Sequence, residues 1–246
     1  MQKLLAAAGL GSRREIEGWI AAGRVAVRGQ PARLGDRATP RDSITIDGTP
    51  VRLSVASAQP RVIAYHKPEG ELVTRNDPEG RLTVFSRLPP LRQGRWISVG
   101  RLDLNSSGLL LFTDSGELAN RLMHPRHGVE RLYLARVQGE LTGDALGRLL
   151  AGVPIGDEES GRFEKIEPVG KTSGANRWYR VTLREGRNRE VRRLFEAVDC
   201  RVGRLRRIRF GSVDLPRDLP PGRWFELKPA EVRALTRPEA PRTLSG

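Results

Sequence analysis

The spacing of apolar and polar positions changes along the chain and divides it into regions. Near the start, Gln2 to Ala8 has helical spacing and Gly9 ends it. Ser12 is a good N-cap for a second helix over Arg13 to Ala22, with Ile16, Trp19 and Ile20 on one face and Gly23 as the stop. Val25–Ala26–Val27 and Ile44–Thr45–Ile46 read as short strands, each followed by a turn, at Arg28–Gly29–Gln30 and at Asp47–Gly48. Residues 1–48 therefore form a small module with a thin core, suited to be an appended binding unit. Thr49 to Pro60 is rich in Ser and Ala and reads as a linker.

The region 61–236 mixes strands with fewer helices. Arg61 to Tyr65 reads as a strand broken by His66–Lys67–Pro68–Glu69–Gly70. Trp96 to Val99 and Leu109 to Thr113 flank a polar turn. Ser115 opens a helix that runs to about Met123, with Glu117 in its first turn. Leu132 to Val137 and Trp178 to Leu183 alternate as strands, and Thr142 starts another helix. Asn188 can cap a helix through Val191, Leu194, Phe195 and Val198, and strands follow near Leu205 to Phe210 and Trp224 to Leu227. Many strands joined by short turns predict an α+β domain with a mostly antiparallel sheet rather than a βαβ series. Residues 237–246 read as a disordered tail.

Composition narrows the class. The chain has 246 residues, 38% hydrophobic and 29% charged, which suits a protein with a core. No window reaches the ~18 apolar residues of a membrane span, and the apolar run near Met1 turns charged at once. A cytoplasmic location without membrane contact is the expectation. Cys200 is the sole cysteine, which excludes an intramolecular disulfide and argues against a cysteine zinc site. His66, His124 and His127 form no ligand cluster in sequence, so no metal is implied. Nucleotide-binding glycine motifs, HExxH and a Ser-centred elbow are missing too, and no cofactor is expected.

The net charge of +14 points to a polyanion, and nucleic acid is the default. Most of it is arginine, which suits phosphate contacts. Between Arg184 and Arg209 there are ten Arg and four Asp or Glu. Candidate RNA contacts are Lys3, Arg13, Arg14, Arg24 and Arg28 in the first module, and Arg187, Arg189 and Arg193 in the second region. Binding through them should weaken steeply with salt.

The segment from Gly100 to Pro125, GRLDLNSSGLLLFTDSGELANRLMHP, places Asp103 on a loop before an apolar strand. A carboxylate there either caps the turn or carries chemistry. Other segments decide between these. QKLLAAAGLGSRREIEGWIAAGRVAVRGQ resembles an S4 RNA-binding domain, and GRLDLNSSGLLLFTDSGEL, HKPEG, LYLARV and LREGRNREVRRLF follow in order. With them the chain resembles the bacterial pseudouridine synthases of the RsuA/RluB/RluE/RluF group. ELANRLMHP looks most like the RluB type, which acts on large-subunit rRNA; small-subunit rRNA stays open as a substrate.

The resemblance implies a pseudouridine synthase fold and conversion of an rRNA uridine to pseudouridine. It places the catalytic Asp at Asp103 and the base-stacking Tyr at Tyr133. The Arg that pairs with the catalytic Asp falls on Arg192, and the aliphatic residue on Leu183. Arg101 and Arg189 are alternative partners of Asp103 or phosphate contacts. The reaction breaks the C1′–N1 bond and rejoins the base through C5, after the uridine leaves its stack. Asp103 would attack C1′ or take a C2′ proton, or add to C6; the residues favour neither route. Nothing calls for more than a monomer. A non-catalytic S4-type RNA- or ribosome-binding protein is the alternative, and an RNA or glycoside hydrolase would want a second carboxylate or metals.

Overall fold

The structure is a computed structural model that describes residues 1–51, 53, 59–156, 159–170 and 176–236. In chain order the first elements are α1 (Gln2–Ala7), α2 (Arg13–Ala21), β1 (Val25–Val27), β2 (Gln30–Pro31), β3 (Ile44–Ile46), β4 (Thr49–Val51), β5 (Val62–Lys67), β6 (Ile97–Val99) and β7 (Ser107–Thr113). Then come α3 (Gly116–Met123), β8 (Arg131–Gln138), α4 (Gly143–Ala151), β9 (Val153–Pro154), β10 (Ser160–Gly161), β11 (Lys165–Val169) and β12 (Asn176–Leu183). The last are α5 (Glu190–Glu196), β13 (Arg201–Phe210), β14 (Val213–Asp214), β15 (Trp224–Glu226) and α6 (Pro229–Leu235).

Two compact units result. The first joins Met1–Pro60 with Pro89–Ile97 and Asp114–Gly116, so it takes in chain far from the N-terminus, from within the expected second region 61–236. Ser12 caps α2 as expected, in a capping box: its hydroxyl accepts from the Glu15 N–H at 3.1 Å while the Glu15 carboxylate accepts from the Ser12 N–H. Leu5, Ile16, Ile20, Val25 and Ile44 make the core. β1 to β4 form a sheet in the order β2-β1-β3-β4. The linker expected from residue 49 therefore begins later, because Thr49–Val51 pairs with Ile44–Ile46 across the Asp47–Gly48 turn. Within this unit Gly9 lies against Gly94; a Cβ on Gly9 would come within 2.8 Å of the Gly94 Cα.

The second unit is built on a mixed, mostly antiparallel sheet in the order β11-β12-β8-β13-β7-β5-β15, with β14 paired to β13 and β6 to β7. The β13–β7 pair is parallel. β7 lies near the middle, and Leu109, Leu110, Leu111 and Phe112 are all fully buried because both faces of the sheet are covered there. Several boundaries differ from expectation: β7 begins at Ser107 and β13 at Arg201, and two others bear on the site. β5 runs on through His66 and Lys67, since β7 supplies pairing partners as far as Lys67↔Gly108. The N-cap of α5 is Arg189, in the left-handed region at φ 50°, rather than Asn188. The Glu190 carboxylate instead accepts from the Arg187 N–H at 3.0 Å and closes the turn before the helix. No helix among the described residues is long and apolar enough to cross a membrane. The expected tail, 237–246, lies outside the described residues.

Candidate active site

The loop from Asp103 to Ser106 is held by its backbone carbonyls. The Asp103 carbonyl accepts from the Ser106 N–H at 3.0 Å and from the Lys67 ammonium at 3.1 Å. The Leu104 carbonyl accepts from the Gly70 N–H at 2.9 Å, and the Asn105 carbonyl from Arg192 Nη2 at 2.9 Å. The Ser106 carbonyl accepts from Lys67 at 2.8 Å. Every carbonyl of the loop thus has a donor from a segment distant in sequence. That saturation matters because an unpaired buried carbonyl costs as much as a lost hydrogen bond.

Lys67 is fully buried, and its ammonium also reaches the Pro68 carbonyl at 3.0 Å. Burial pushes its pKa down to about 8, while Glu71, Asp103 and Glu69 pull the other way. Arg192, on α5, spans two elements: Nη1 donates to the Val202 carbonyl at 2.6 Å and Nη2 to Asn105. Burial also lowers the Arg192 pKa, as does nearby Arg189, and Asp103 raises it. Among the described residues no hydrogen bond or ion pair joins the Asp103 and Arg192 side chains. Arg192 grips the loop two residues along instead, and the Asp103 carboxylate, only partly buried, is left unengaged. In place of the expected direct pair, the guanidinium holds the loop backbone at Asn105, and the Asp103 charge acts on it without a hydrogen bond.

Gly108 shows why the loop enters β7 as it does. Its φ is +107°, and a Cβ there would lie 2.1 Å from the Arg207 carbonyl on β13. Only glycine lets the two parallel strands approach beside the loop. Arg207 is buried and donates from Nε to the Leu109 carbonyl at 2.8 Å. Its guanidinium lies 5.2 Å from the Phe210 ring, as does that of Arg131.

Tyr133 stands on β8 opposite Val181 of β12 and Arg207 of β13, so these three side chains share a sheet face. Leu183, opposite Arg131, lies two residues along the same face. Tyr133 is 7% and Leu183 2% exposed, so the candidate base platform is mostly covered in this state. Arg101 is exposed and unpaired among the described residues.

The candidate RNA contacts separate into two groups. Arg24 pairs with Asp47 at 2.5 Å and lies over Trp19, and Arg28 pairs with Asp42 at 2.8 Å. Arg187 pairs with Glu185 at 2.7 Å, Arg193 with Glu159, and Arg189 loosely with Glu196 at 4.0 Å. Arg13 and Arg14 are exposed without a described partner. Cys200 is buried and its thiol pKa is pushed up, chiefly by desolvation, which suits a packing residue. Lys67 and Gly108 have structural tasks that their sequence motifs do not reveal. The signal for Lys67 was a charged residue ending an otherwise apolar strand.

The model for RNA pseudouridylate synthase matches residues 61–197 and that for the S4 domain residues 2–44. The chain belongs to the RNA pseudouridylate synthase family. It is 56% identical over 238 residues to the ribosomal large subunit pseudouridine synthase B of Escherichia coli (strain K12), covering 96% of this chain and 81% of that one. The protein of the same name from Pseudomonas aeruginosa is 52% identical over 237 residues, and the match spans 96% of this chain but 61% of the relative. A crystal structure of a pseudouridylate synthase aligns with a TM-score of 0.67 at 24% identity, covering 96% of this chain and 98% of that one, and supports the fold.

Proposed function

We propose that this protein converts a specific uridine of large-subunit rRNA to pseudouridine, with Asp103 as the reacting carboxylate. The observation that carries this is the Asp103 loop: four tethered carbonyls hold its backbone while no described residue hydrogen-bonds the carboxylate. Such a frame positions a reacting group at little entropic cost at the moment of reaction. The names of the relatives give the substrate class. The uridine leaves its stack at a cost of a few kcal/mol. Tyr133 then stacks on it, worth about 1–3 kcal/mol, with Leu183 beside it. Asp103 acts as nucleophile or base while the C1′–N1 bond breaks and a C1′–C5 bond forms. The C5 hydrogen leaves as a proton and N1 gains one, so the composition of the RNA is unchanged. Arg192 keeps the loop in place, and Arg101 and Arg189 are suited to phosphates beside it. The reaction calls on no cofactor, and the protein acts as a monomer in the cytoplasm, where rRNA is assembled.

The test is to incubate the protein with large-subunit rRNA transcripts and map pseudouridine by carbodiimide modification and primer extension. Wild type should leave one discrete stop and Asp103→Asn none. An equally active Asp103→Asn, or wild type without any stop, refutes the reading. Chain cleavage would indicate a hydrolase.

A further inference from the structure

The arginines of β13 do not all face the candidate active site. Cross-strand partners share a face and neighbours along a strand alternate. Tyr133, Val181 and Arg207 share a face with Lys67 across Gly108, and the Lys67 ammonium reaches the Asp103 carbonyl, so this is the Asp103 side. The adjacent set, Arg180 on β12, Leu134 on β8 and Arg206 on β13, must lie on the other side. So must Trp178, Arg136 and Arg204, one step further. These six form two rows of three, the rows about 7 Å apart and the strands about 4.8 Å apart. Burial agrees: Tyr133, Ala135 and Val137 are buried, Leu134 and Arg136 are partly exposed, Arg204 is exposed and Trp178 is 36% exposed.

The side chains of the four arginines of this face form no hydrogen bond or ion pair with any described residue, although their backbones are paired in the sheet. Nε of Arg180 and of Arg206 is buried without a partner. The contrast with nearby arginines is sharp, since Arg184, Arg187, Arg189, Arg193 and Arg209 each have a carboxylate within 4.0 Å. The carboxylate nearest in register, Glu167 opposite Arg180, is taken by Lys165 at 2.7 Å. Four clustered guanidinium groups repel one another, and an anionic ligand relieves that cost.

We infer that this face, opposite the Asp103 side of the sheet, binds a second, single-stranded segment of the RNA. The inference rests on an RNA substrate, as proposed above. A flat sheet surface cannot enter a duplex groove, whereas it can display unstacked bases. Trp178 offers a stacking face, Leu134 an apolar floor and the guanidinium planes both stacking and charge. An acidic peptide would use the charge and leave the exposed indole unmatched. The consequence is a protein that clasps rRNA on both faces of one sheet, so that long RNA binds more tightly than the fragment around the modified uridine.

The test compares full-length wild type with Arg136→Ser/Arg180→Ser/Arg204→Ser and with Trp178→Ala. Affinity for a long large-subunit rRNA transcript should fall at least tenfold in the triple variant. The slope of log affinity against log salt should flatten by about 2, at about 0.7 per lost single-strand phosphate contact. Trp178→Ala should weaken the long transcript about fivefold or more, and ultraviolet crosslinking should join wild-type Trp178 to RNA. The rate on a saturating short fragment around the mapped uridine should stay within twofold. Unchanged affinity and slope on the long transcript overturn the inference, as does crosslinking that spares the Trp178 peptide. Because binding and crosslinking are read without turnover, a wild type that makes no pseudouridine defeats the proposed function and leaves this test standing. The Arg→Lys triple, which keeps charge, should retain most of the salt slope and guards against misfolding of the Ser triple.

Discussion

Replacing Lys67 with Met separates the stability of the Asp103 loop from its activity. The methionine matches the lysine in length and removes the charge. In the folded protein the ammonium is fully buried and its pKa is about 8, against an ordinary 10.5. Between those values the unfolded chain holds a proton that the folded chain has released. Stability from this group therefore rises with pH across about 8 to 10.5 and carries its full penalty below 8. At about 1.4 kcal/mol per pH unit the penalty is about 3 kcal/mol at pH 7. Met abolishes it but strands the carbonyls of Pro68 and Ser106, at about 1–3 kcal/mol each; Asp103 O keeps the Ser106 N–H. The opposing effects are similar in size, so net stability at pH 7 should shift by no more than about 2 kcal/mol.

Activity has no such compensation. Two of the four loop tethers come from this one ammonium. A displacement of about 1 Å at the reacting group can cost about 100-fold, so kcat of Lys67→Met should drop by about that factor with RNA affinity nearly unchanged. Urea unfolding followed by tryptophan fluorescence at pH 7, 8, 9 and 10 tests the first half. Wild type should gain about 2–3 kcal/mol on the variant between pH 8 and 10, and subtracting the variant removes the titration of other groups. Pseudouridine formation under saturating RNA tests the second half. A wild-type minus variant difference that is flat in pH, or a variant with wild-type kcat, would show that Lys67 does not hold the loop through its charge.

Three further substitutions probe the same frame. Gly108→Ala forces a Cβ against the Arg207 carbonyl at a positive φ, so a loss of about 3 kcal/mol or more is expected, read as a lower urea midpoint; a melt like wild type would contradict the close strand approach. Arg192→Lys cannot span both the Val202 and Asn105 carbonyls, so kcat should fall about 10–100-fold while KM changes little; a KM effect alone would point to direct RNA contact. Tyr133→Ala should lose about 1–3 kcal/mol of stacking, seen as a fall in kcat/KM with an unaltered salt slope, and Tyr133→Phe should keep most of it.

Much of the fold was legible because its signals are local. Ser12 with Glu15 three residues on marked the start of α2, and alternation marked β8 and β12. The errors lie where a distant partner overrides local preference. His66 and Lys67 look like a break after Tyr65, yet β7 pairs with them and extends β5. Thr49–Val51 looks like a linker, yet β3 captures it as a strand.

The site divides the same way. From the amino-acid order alone came the loop carboxylate Asp103, the aromatic Tyr133, the basic Arg192 and the cationic segment around them. Residue type and spacing are enough for those, since they belong to short contiguous motifs. Only the tertiary structure decided that Lys67, Gly70 and Arg192 reach the loop carbonyls from other segments, for these hydrogen bonds join residues 34 or more positions apart along the chain. It also decided which arginines are engaged. Arg204, Arg206 and Arg207 are near neighbours of one charge in the sequence, but the pleat sends Arg207 toward the Asp103 side and the other two to the opposite face, because successive side chains on a strand point in opposite directions.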